Sequence, residues 1–259
     1  MHDLTTQPSD LHATDACLTS HVLDASFGRP ASGMDLLFYR MQGDTPEMLA
    51  ELTTTEDGRL SGPLLTCGDA VPGRYRIDFQ TGNSFLGDVP VVFDIEDTSA
   101  HHHVPLVLSE FGFSTYRGAP PHRAAVGGAP SMSLPANMPT GQAPPPGSVG
   151  AGVTVHIIDI SRGIGAGGLA VELLGPAGNS ISKLTTTEEG RTAEWLAEAG
   201  SLVAGVYTLT FDLAAFYLAA DLKPFFPMAN VSFRVDKPTQ HFHIPLLVTP
   251  WGYSCYRGS

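Results

Sequence analysis

The sequence is poor in cysteine and has no long hydrophobic run, and both absences limit what the protein can be. Its three cysteines, Cys17, Cys67 and Cys255, are an odd number, and none stands in a C-x-x-C pair. They therefore predict free thiols in a reducing compartment rather than a disulfide framework. No segment approaches the ~18 apolar residues of a membrane span, and the polar N-terminus lacks a secretory signal pattern. We expect a cytoplasmic protein.

Basic residues are also scarce. The chain has 14 lysines and arginines against 26 aspartates and glutamates, which gives a formal net charge of −12. Nucleic-acid backbones and anionic membrane surfaces are bound through basic patches, so neither is an expected partner. The acidic residues are spread along the chain, as is typical of a soluble protein.

The sequence does contain one long internal repeat. The spacing from His21 to His156 is 135 residues, and the spacing from His103 to His243 is 140 residues. The repeated motifs are H-V-L-D and H-I-I-D, T-T-T-E-D-G-R and T-T-T-E-E-G-R, and H-H-H-V-P-L and H-F-H-I-P-L. This period is too long for a solenoid, and each unit is long enough to bury its own core. The repeat therefore predicts two domains in tandem.

Composition sets the predicted boundaries. Residues 1–16 are expected to be a disordered leader, and residues 119–150 are rich in Pro, Gly and Ala and read as a linker. The two domains are then 17–118 and 151–259. The linker is long enough to let the domains pack in several relative poses.

The predicted fold class is all-β, with a β-sandwich in each domain. Residues Arg74–Phe79 and Val206–Phe211 alternate apolar and polar positions, and turn signals separate many such short runs. The second copy has additional residues over Asp212–Pro227, with apolar positions at helical spacing, which predicts a short helix there. The first copy has no segment that would form this helix.

The histidines are the first candidate site residues. In a strand, H-x-H places its outer residues on one face, so His101 shares a face with His103, as His241 does with His243. An earlier histidine, His21 or His156, completes each set. Two other readings remain open: histidines hydrogen-bonded at a domain interface, and a zinc site. The zinc site is disfavoured because no carboxylate or thiol accompanies both clusters at ligand spacing.

Arg59 and Arg191 end matched turns that do not themselves require an arginine. A guanidinium suits an anionic or carbonyl-rich planar ligand. Two neutral histidines and an arginine can hydrolyse an amide, with one imidazole taking a proton from water and the arginine stabilising the oxyanion. The second imidazole is available to donate a proton to the leaving nitrogen or to orient the water.

These motifs, together with Y-R-G-S at the end of the chain, closely resemble the 5-hydroxyisourate hydrolases of the transthyretin-like family. The resemblance covers both predicted domains. It implies a two-sheet β-sandwich with a short helix, a tetramer of single domains with active sites in a channel between subunits, and no metal or organic cofactor. The implied reaction is the ring opening of 5-hydroxyisourate by water, in purine breakdown after urate oxidation.

The resemblance also assigns residues. The catalytic positions fall on His156, Arg191, His243 and Ser259 in the second copy and on His21, Arg59 and His103 in the first. The substrate-binding positions fall on Tyr256, Arg257 and Gly258 and, less completely, on Tyr116, Arg117 and Gly118.

The first copy departs from the family pattern. It has Ala119 in place of the final serine, and we expect it to lack both the helix and the F-F-P segment found at Phe225–Pro227. The second copy is therefore the better candidate site. We expect two chains to associate as a homodimer with four domains. A binding protein for a small planar ligand and a hydrolase of a methylated hydroxyisourate remain as alternatives.

Overall fold

A computed structural model describes residues 16–118, 152–198 and 200–258. The leader predicted over 1–16, apart from Ala16, and the linker predicted over 119–150 lie outside the described residues, as does Ser259. None of the helices in the described part of the chain is long and apolar enough to cross a membrane.

The first half consists of strands. In chain order they are β1 (Ala16–Thr19), β2 (Val22–Asp24), β3 (Arg29–Pro30), β4 (Asp35–Gln42), β5 (Thr45–Thr53), β6 (Leu65–Thr66), β7 (Gly73–Gln80), β8 (Val89–Ile95), β9 (His102–His103), β10 (Leu106–Ser109) and β11 (Gly112–Tyr116).

The second half repeats this order and adds one helix. Its elements are β12 (Gly152–Asp159), β13 (Ile164–Gly165), β14 (Ala170–Leu174), β15 (Ser180–Thr185), β16 (Ala197–Glu198), β17 (Gly205–Asp212), α1 (Leu213–Leu218), β18 (Met228–Val235), β19 (His241–Thr249) and β20 (Gly252–Tyr256). The predicted all-β fold with a short helix in the second copy is confirmed.

Alternation along the strands gives each half two packed sheets. In β17, for example, Tyr207, Leu209 and Phe211 are buried while the residues between them are partly exposed, because successive side chains of a strand point to opposite faces. β17 belongs to a four-stranded sheet of order β15-β14-β17-β18, and its counterpart in the first half is β5-β4-β7-β8. Each of these sheets packs its apolar face against a larger sheet, as in a β-sandwich.

The larger sheet is shared by the two halves. Its order is β13-β12-β19-β20-β11-β10-β2-β3, with β16 paired to β12, while β6-β1-β9 of the first half form a separate three-stranded sheet. The halves meet where β11 and β20 pair antiparallel, from Gly112 opposite Tyr256 to Tyr116 opposite Gly252. Arg117 N donates to Trp251 O at 2.7 Å, and Arg257 N donates to Phe111 O at 2.8 Å. This seam relates the two halves by an approximate twofold axis.

Aromatic rings fill the second contact between the halves. Phe225 of the second half stacks on Phe93 and His102 of the first, with ring centroids 5.7 and 5.9 Å apart. The Arg117 guanidinium lies 5.2 Å from the Phe225 centroid, and Asp94 N donates to Phe225 O at 3.1 Å. One phenylalanine therefore carries packing, a cation–π contact and a backbone hydrogen bond across the junction.

The first copy lacks the F-F-P sequence, as expected, but it keeps an aromatic ring at the junction. Phe85 occupies the place of Phe225: its carbonyl accepts from Arg234 N at 2.6 Å, and the Arg257 guanidinium lies 5.3 Å from its ring. Only the first phenylalanine is needed to span the junction, so the S-F-L-G sequence of the first copy fills the same space without the prolines.

The helix is specific to the second half of the described chain. Asp212 accepts from Ala215 N at 2.9 Å and so caps the first turn of α1. Buried Asp159 pairs with Arg162 at 2.6 Å, and the Arg162 guanidinium lies 4.9 Å from the Phe216 ring of the helix. These contacts fix a helix of six residues, which is too short to be stable alone.

Phe225→Ala is expected to lower the free energy of unfolding by about 3–5 kcal/mol, because it empties a buried aromatic site at the junction. Phe225 is 5 % exposed, whereas Phe27, the control, is 72 % exposed. Phe27→Ala is expected to change the stability by less than about 1 kcal/mol. Chemical denaturation of both variants measures the difference. Equal, small changes in the two would contradict this account of the junction.

Candidate functional site

The predicted histidines of the second half lie on the outward face of the nine-stranded sheet, and those of the first half lie at the three-stranded sheet β6-β1-β9. In β19, His241 and His243 are half-buried while Phe242 between them is buried. In β12, Thr154 and His156 point the same way, since the register places Thr154 opposite His243. The prediction that the outer histidines of H-x-H share a face is confirmed in this half, and the first half shows the same burial pattern at residues 101–103.

Arg191 reaches the histidines through a β-bridge. The backbone of Arg191 pairs antiparallel with that of His156, just as Arg59 pairs with His21. Gly190 adopts φ +76°, and a Cβ there would lie 1.9 Å from Ile157 O, so this turn requires glycine. The T-T-T-E-E-G-R turn therefore delivers its arginine to the strand that carries the first histidine.

In the second half, the side chains of Arg191 and His156 are in contact. Arg191 Nη2 donates to His156 Nδ1 at 3.2 Å. His156 Nε2 donates to Glu189 O at 3.1 Å, which fixes the neutral tautomer of His156 with its proton on Nε2. Burial, then the charge of Arg191, lowers the pKa of His156. His156 is thus a neutral group that orients the guanidinium.

His243 is the most strongly perturbed histidine of this cluster. Burial, then the nearby Arg191, His241 and His156, lowers its pKa to about 4. Its Nδ1 lies 3.0 Å from Thr154 Oγ1, and within the described residues its Nε2 has no hydrogen-bond partner. A neutral imidazole with an open Nε2 can act as a general base near neutral pH.

Gly258 closes one side of His243. Its N–H donates to His243 O at 2.8 Å, and a Cβ at Gly258 would lie 2.5 Å from His243 Cδ2. Gly118 has the same relation to His103, at 2.8 Å. The glycine of each Y-R-G motif is required because the chain passes directly against the imidazole ring.

The first half has the same residues in a different arrangement. His21 Nδ1 lies 2.8 Å from His103 Nε2, and the two rings stack with centroids 4.9 Å apart. The Nε2 atom that is open in His243 is therefore occupied in His103. As in the second half, burial lowers the pKa of both histidines, that of His103 to about 4.

Arg59 accounts for the difference between the halves. Its side chain is 61 % exposed and lies 4.0 Å from the Asp57 carboxylate. In the second half the matching acid is Glu189, whose carboxylate accepts from Thr187 Oγ1 at 2.7 Å, and Arg191 turns to His156. With Arg59 turned towards Asp57, His21 bonds to His103 instead.

The two remaining Y-R-G residues lie on opposite faces of the sheet. Tyr116 and Tyr256 are 43 % and 48 % exposed on the outward face. Arg117 and Arg257 point the other way, over aromatic rings of the junction. The structure therefore brings the tyrosines, but not the arginine side chains, to the face that carries the histidines. Ser259 lies outside the described residues.

Two further features complete the geometry. Thr19 and Thr154, which the sequence reasoning missed, lie between the histidines of each cluster. Their signal was a hydroxyl residue two positions before the first histidine.

Among the described residues no group of three or more His, Cys, Asp or Glu side chains is arranged to hold a metal ion. Cys17, Cys67 and Cys255 are free.

Comparison with known proteins gives relatives for both halves. The HIUase/Transthyretin family model matches residues 18–118 and 153–258. The 5-hydroxyisourate hydrolase 2 of Rhizobium meliloti is 40 % identical over 114 residues, which cover 39 % of this chain and 95 % of that protein. The 5-hydroxyisourate hydrolase of Deinococcus radiodurans is 40 % identical over 114 residues, covering 42 % of this chain and 96 % of that protein.

Among solved structures, the 5-hydroxyisourate hydrolase of Klebsiella pneumoniae matches with 37 % sequence identity and a TM-score of 0.38, covering 42 % of this chain and 94 % of that one. The relatives thus align over nearly their whole length with less than half of this chain, and the family model matches twice. The chain belongs to the HIUase/Transthyretin family and carries its domain in two copies.

Proposed function

We propose that this protein hydrolyses 5-hydroxyisourate, with the second half as the main active site. The relatives that support this substrate are named 5-hydroxyisourate hydrolases. The observation that carries the proposal is that His243 Nε2, which no other described residue engages, lies near a guanidinium that His156 orients. A base and an oxyanion stabiliser on one sheet face are the groups that amide hydrolysis by water requires.

The proposed reaction begins with a water molecule between His243 and a ring carbonyl of the substrate. His243 Nε2 takes a proton as the water oxygen forms its bond to the carbonyl carbon. Arg191 stabilises the negative charge that develops on the carbonyl oxygen. The bond from this carbon to the ring nitrogen then breaks, His243 Nε2 gives its proton to that nitrogen, and the ring is open with His243 again neutral. Neutral His156 accepts a hydrogen bond from the Arg191 guanidinium and so holds it in place.

The first half is a weaker candidate for the same chemistry. His103 Nε2 is engaged by His21, and the Arg59 side chain lies towards solvent beside Asp57. A substrate at this site would have to break the histidine pair and draw in the arginine before reaction. We therefore assign most of the turnover to His156, Arg191 and His243.

We also propose that two chains stack on the outward face. Both histidine clusters lie on this face, together with exposed Tyr116, Tyr256 and Leu23. A second chain would cover these apolar side chains and exclude water from the clusters, which strengthens the electrostatic interactions within them. The assembly would contain two chains and four domains.

His243→Ala is expected to lower kcat/KM for freshly made 5-hydroxyisourate by about 10²–10⁴-fold, because it removes the base. Arg191→Lys is expected to lower kcat/KM by about 10²-fold, since one ammonium replaces an oriented guanidinium. The ultraviolet decay of the substrate, corrected for the spontaneous rate, measures both. In the matched controls His103→Ala and Arg59→Lys, kcat/KM should fall much less. Unchanged decay in His243→Ala and Arg191→Lys would exclude this site, and binding without turnover by the unmodified protein would indicate a carrier.

The pH profile should reflect the lowered histidine pKa values. A histidine whose folded pKa is depressed stays neutral, and active as a base, until the pH falls to that value. His243 has a pKa of about 4, so kcat/KM should be constant from about pH 6 to 8 and fall only as the pH approaches 4. Initial rates in overlapping buffers test this. A loss centred near pH 6.5 would show that the essential base is an ordinary solvated histidine.

The proposed assembly predicts a solution mass of two chains by light scattering at concentrations where the protein is active. Tyr116→Glu and Tyr256→Glu, introduced together, should shift the mass towards one chain, because each places a charge in the apolar interface. A mass of one chain with full activity would refute the assembly and leave the catalytic proposal intact.

A further inference from the structure

A threonine hydroxyl joins the two histidines of each H-x-H motif. Thr154 Oγ1 lies 2.7 Å from His241 Nε2 and 3.0 Å from His243 Nδ1. In the first half, Thr19 Oγ1 lies 2.9 Å from His101 Nε2 and 2.8 Å from His103 Nδ1. The same bridge forms twice from different surrounding sequence, V-T-V-H in one copy and L-T-S-H in the other.

The hydroxyl couples the proton positions of its two histidines. A threonine has one proton to donate and lone pairs to accept with. If Thr154 donates to His243, it accepts from His241 Nε2–H; if it donates to His241, it accepts from His243 Nδ1–H. Only the second arrangement leaves the His243 lone pair on Nε2, where the proposed reaction needs it.

We propose that Thr154 and His241 are positioning residues that make His243 a base and carry its proton away. This inference rests on the proposed function. Before reaction, His243 Nδ1–H donates to Thr154, and Thr154 donates to His241 Nε2. When His243 Nε2 takes a proton from water, the Nδ1 proton moves to Thr154 and the threonine proton moves to His241. His243 ends neutral with its proton on Nε2, His241 ends as the imidazolium, and the hydroxide has bonded to the carbonyl carbon.

The surroundings of the two histidines favour this transfer. His243 faces Arg191, His241 and His156, and with burial these lower its pKa to about 4. At pH 7 a group with that pKa holds a proton about one-thousandth of the time. The pKa of His241 is lowered by burial, and no positively charged neighbour contributes. Its ring is half-exposed and contacts Trp195 edge-on, with centroids 5.1 Å apart. Moving the proton to His241 therefore takes the positive charge away from Arg191.

The first half has the same threonine bridge, but the bridge is not expected to transfer protons there. His103 Nε2 is bonded to His21, and His101 Nδ1 is buried without a hydrogen-bond partner among the described residues. To accept a proton from Thr19 at Nε2, neutral His101 must already carry its own proton on Nδ1, where it is an unsatisfied buried N–H, which is unfavourable. The relay is thus expected to operate in the second half, and Thr19 provides a matched control.

Three variants of the second half and one control in the first half separate positioning from proton transfer. Thr154→Val keeps the shape and removes the hydroxyl, so kcat should fall by about 10–100-fold with little change in KM. Thr154→Ser should restore most of this loss. His241→Gln keeps an acceptor for Thr154 but cannot take up a proton. It should therefore keep the His243 tautomer and still lower kcat. Thr19→Val should lower kcat much less than Thr154→Val does.

The readouts are kcat in mixtures of H₂O and D₂O and the ¹⁵N spectrum of the histidines in the full chain. The unmodified protein should give a curved dependence on deuterium content, because more than one proton moves, and both Thr154→Val and His241→Gln should give a straight line. In the spectrum, His243 should carry its proton on Nδ1, and Thr154→Val should move it to Nε2.

Each failure has a separate meaning. Should Thr154→Val and His241→Gln both keep kcat within twofold, the relay is excluded while the proposed hydrolysis stands. If the unmodified protein does not open 5-hydroxyisourate, the proposed function fails, and the spectrum still tests the bridge. An identical His243 tautomer in the unmodified protein and in Thr154→Val then overturns the role of Thr154.

Discussion

The antiparallel pairing of Gly112–Tyr116 with Gly252–Tyr256 is the interaction on which the arrangement of this protein depends. It joins the two halves into one sheet and leaves neither edge of the seam with unpaired backbone groups. Because side chains alternate along a strand, the seam also determines that Tyr116 and Tyr256 point outward. The arginine that follows each tyrosine then points towards the aromatic rings of the other half. The two Y-R-G motifs therefore hold the two halves together, in addition to being candidate site residues.

The duplication has not kept the two halves equal. Both carry two site histidines, an arginine and a bridging threonine in the same register, but the side chains form different contacts. The two arginines differ most in position, and the turns before them differ in one acid. The shorter Asp57 lies beside Arg59, whereas the longer Glu189 accepts a hydrogen bond from Thr187. The first half then closes its histidines on each other, and the second leaves His243 open beside Arg191. A fused pair allows such divergence, since both halves keep the fold and the seam while their histidine clusters form different hydrogen bonds.

Much of the fold was predictable from the residues. The run Val206–Phe211 alternates apolar and polar positions, and it lies in β17. Helical spacing after Asp212 predicted α1. The expectation that failed concerned Arg117 and Arg257, which lie over aromatic rings of the junction and not beside the histidines. The sequence also did not reveal that Phe85 takes the place of Phe225, because the packing requires one aromatic ring at the contact and not the flanking prolines. The site was predicted less completely: Thr154 was missed because a threonine in a strand is ordinary, and its role is visible only when β12 lies beside β19.

The sequence alone determined the all-β class, the two copies, the set of histidines and arginines on each, and the glycines that end each motif. These properties depend on local spacing and on the chemistry of single residues. Only the tertiary structure decided that the halves share a sheet, that Arg257 packs on the rings of Phe85 and Phe242, and that His243 keeps an open nitrogen while His103 does not. Those outcomes depend on contacts between segments distant in the chain.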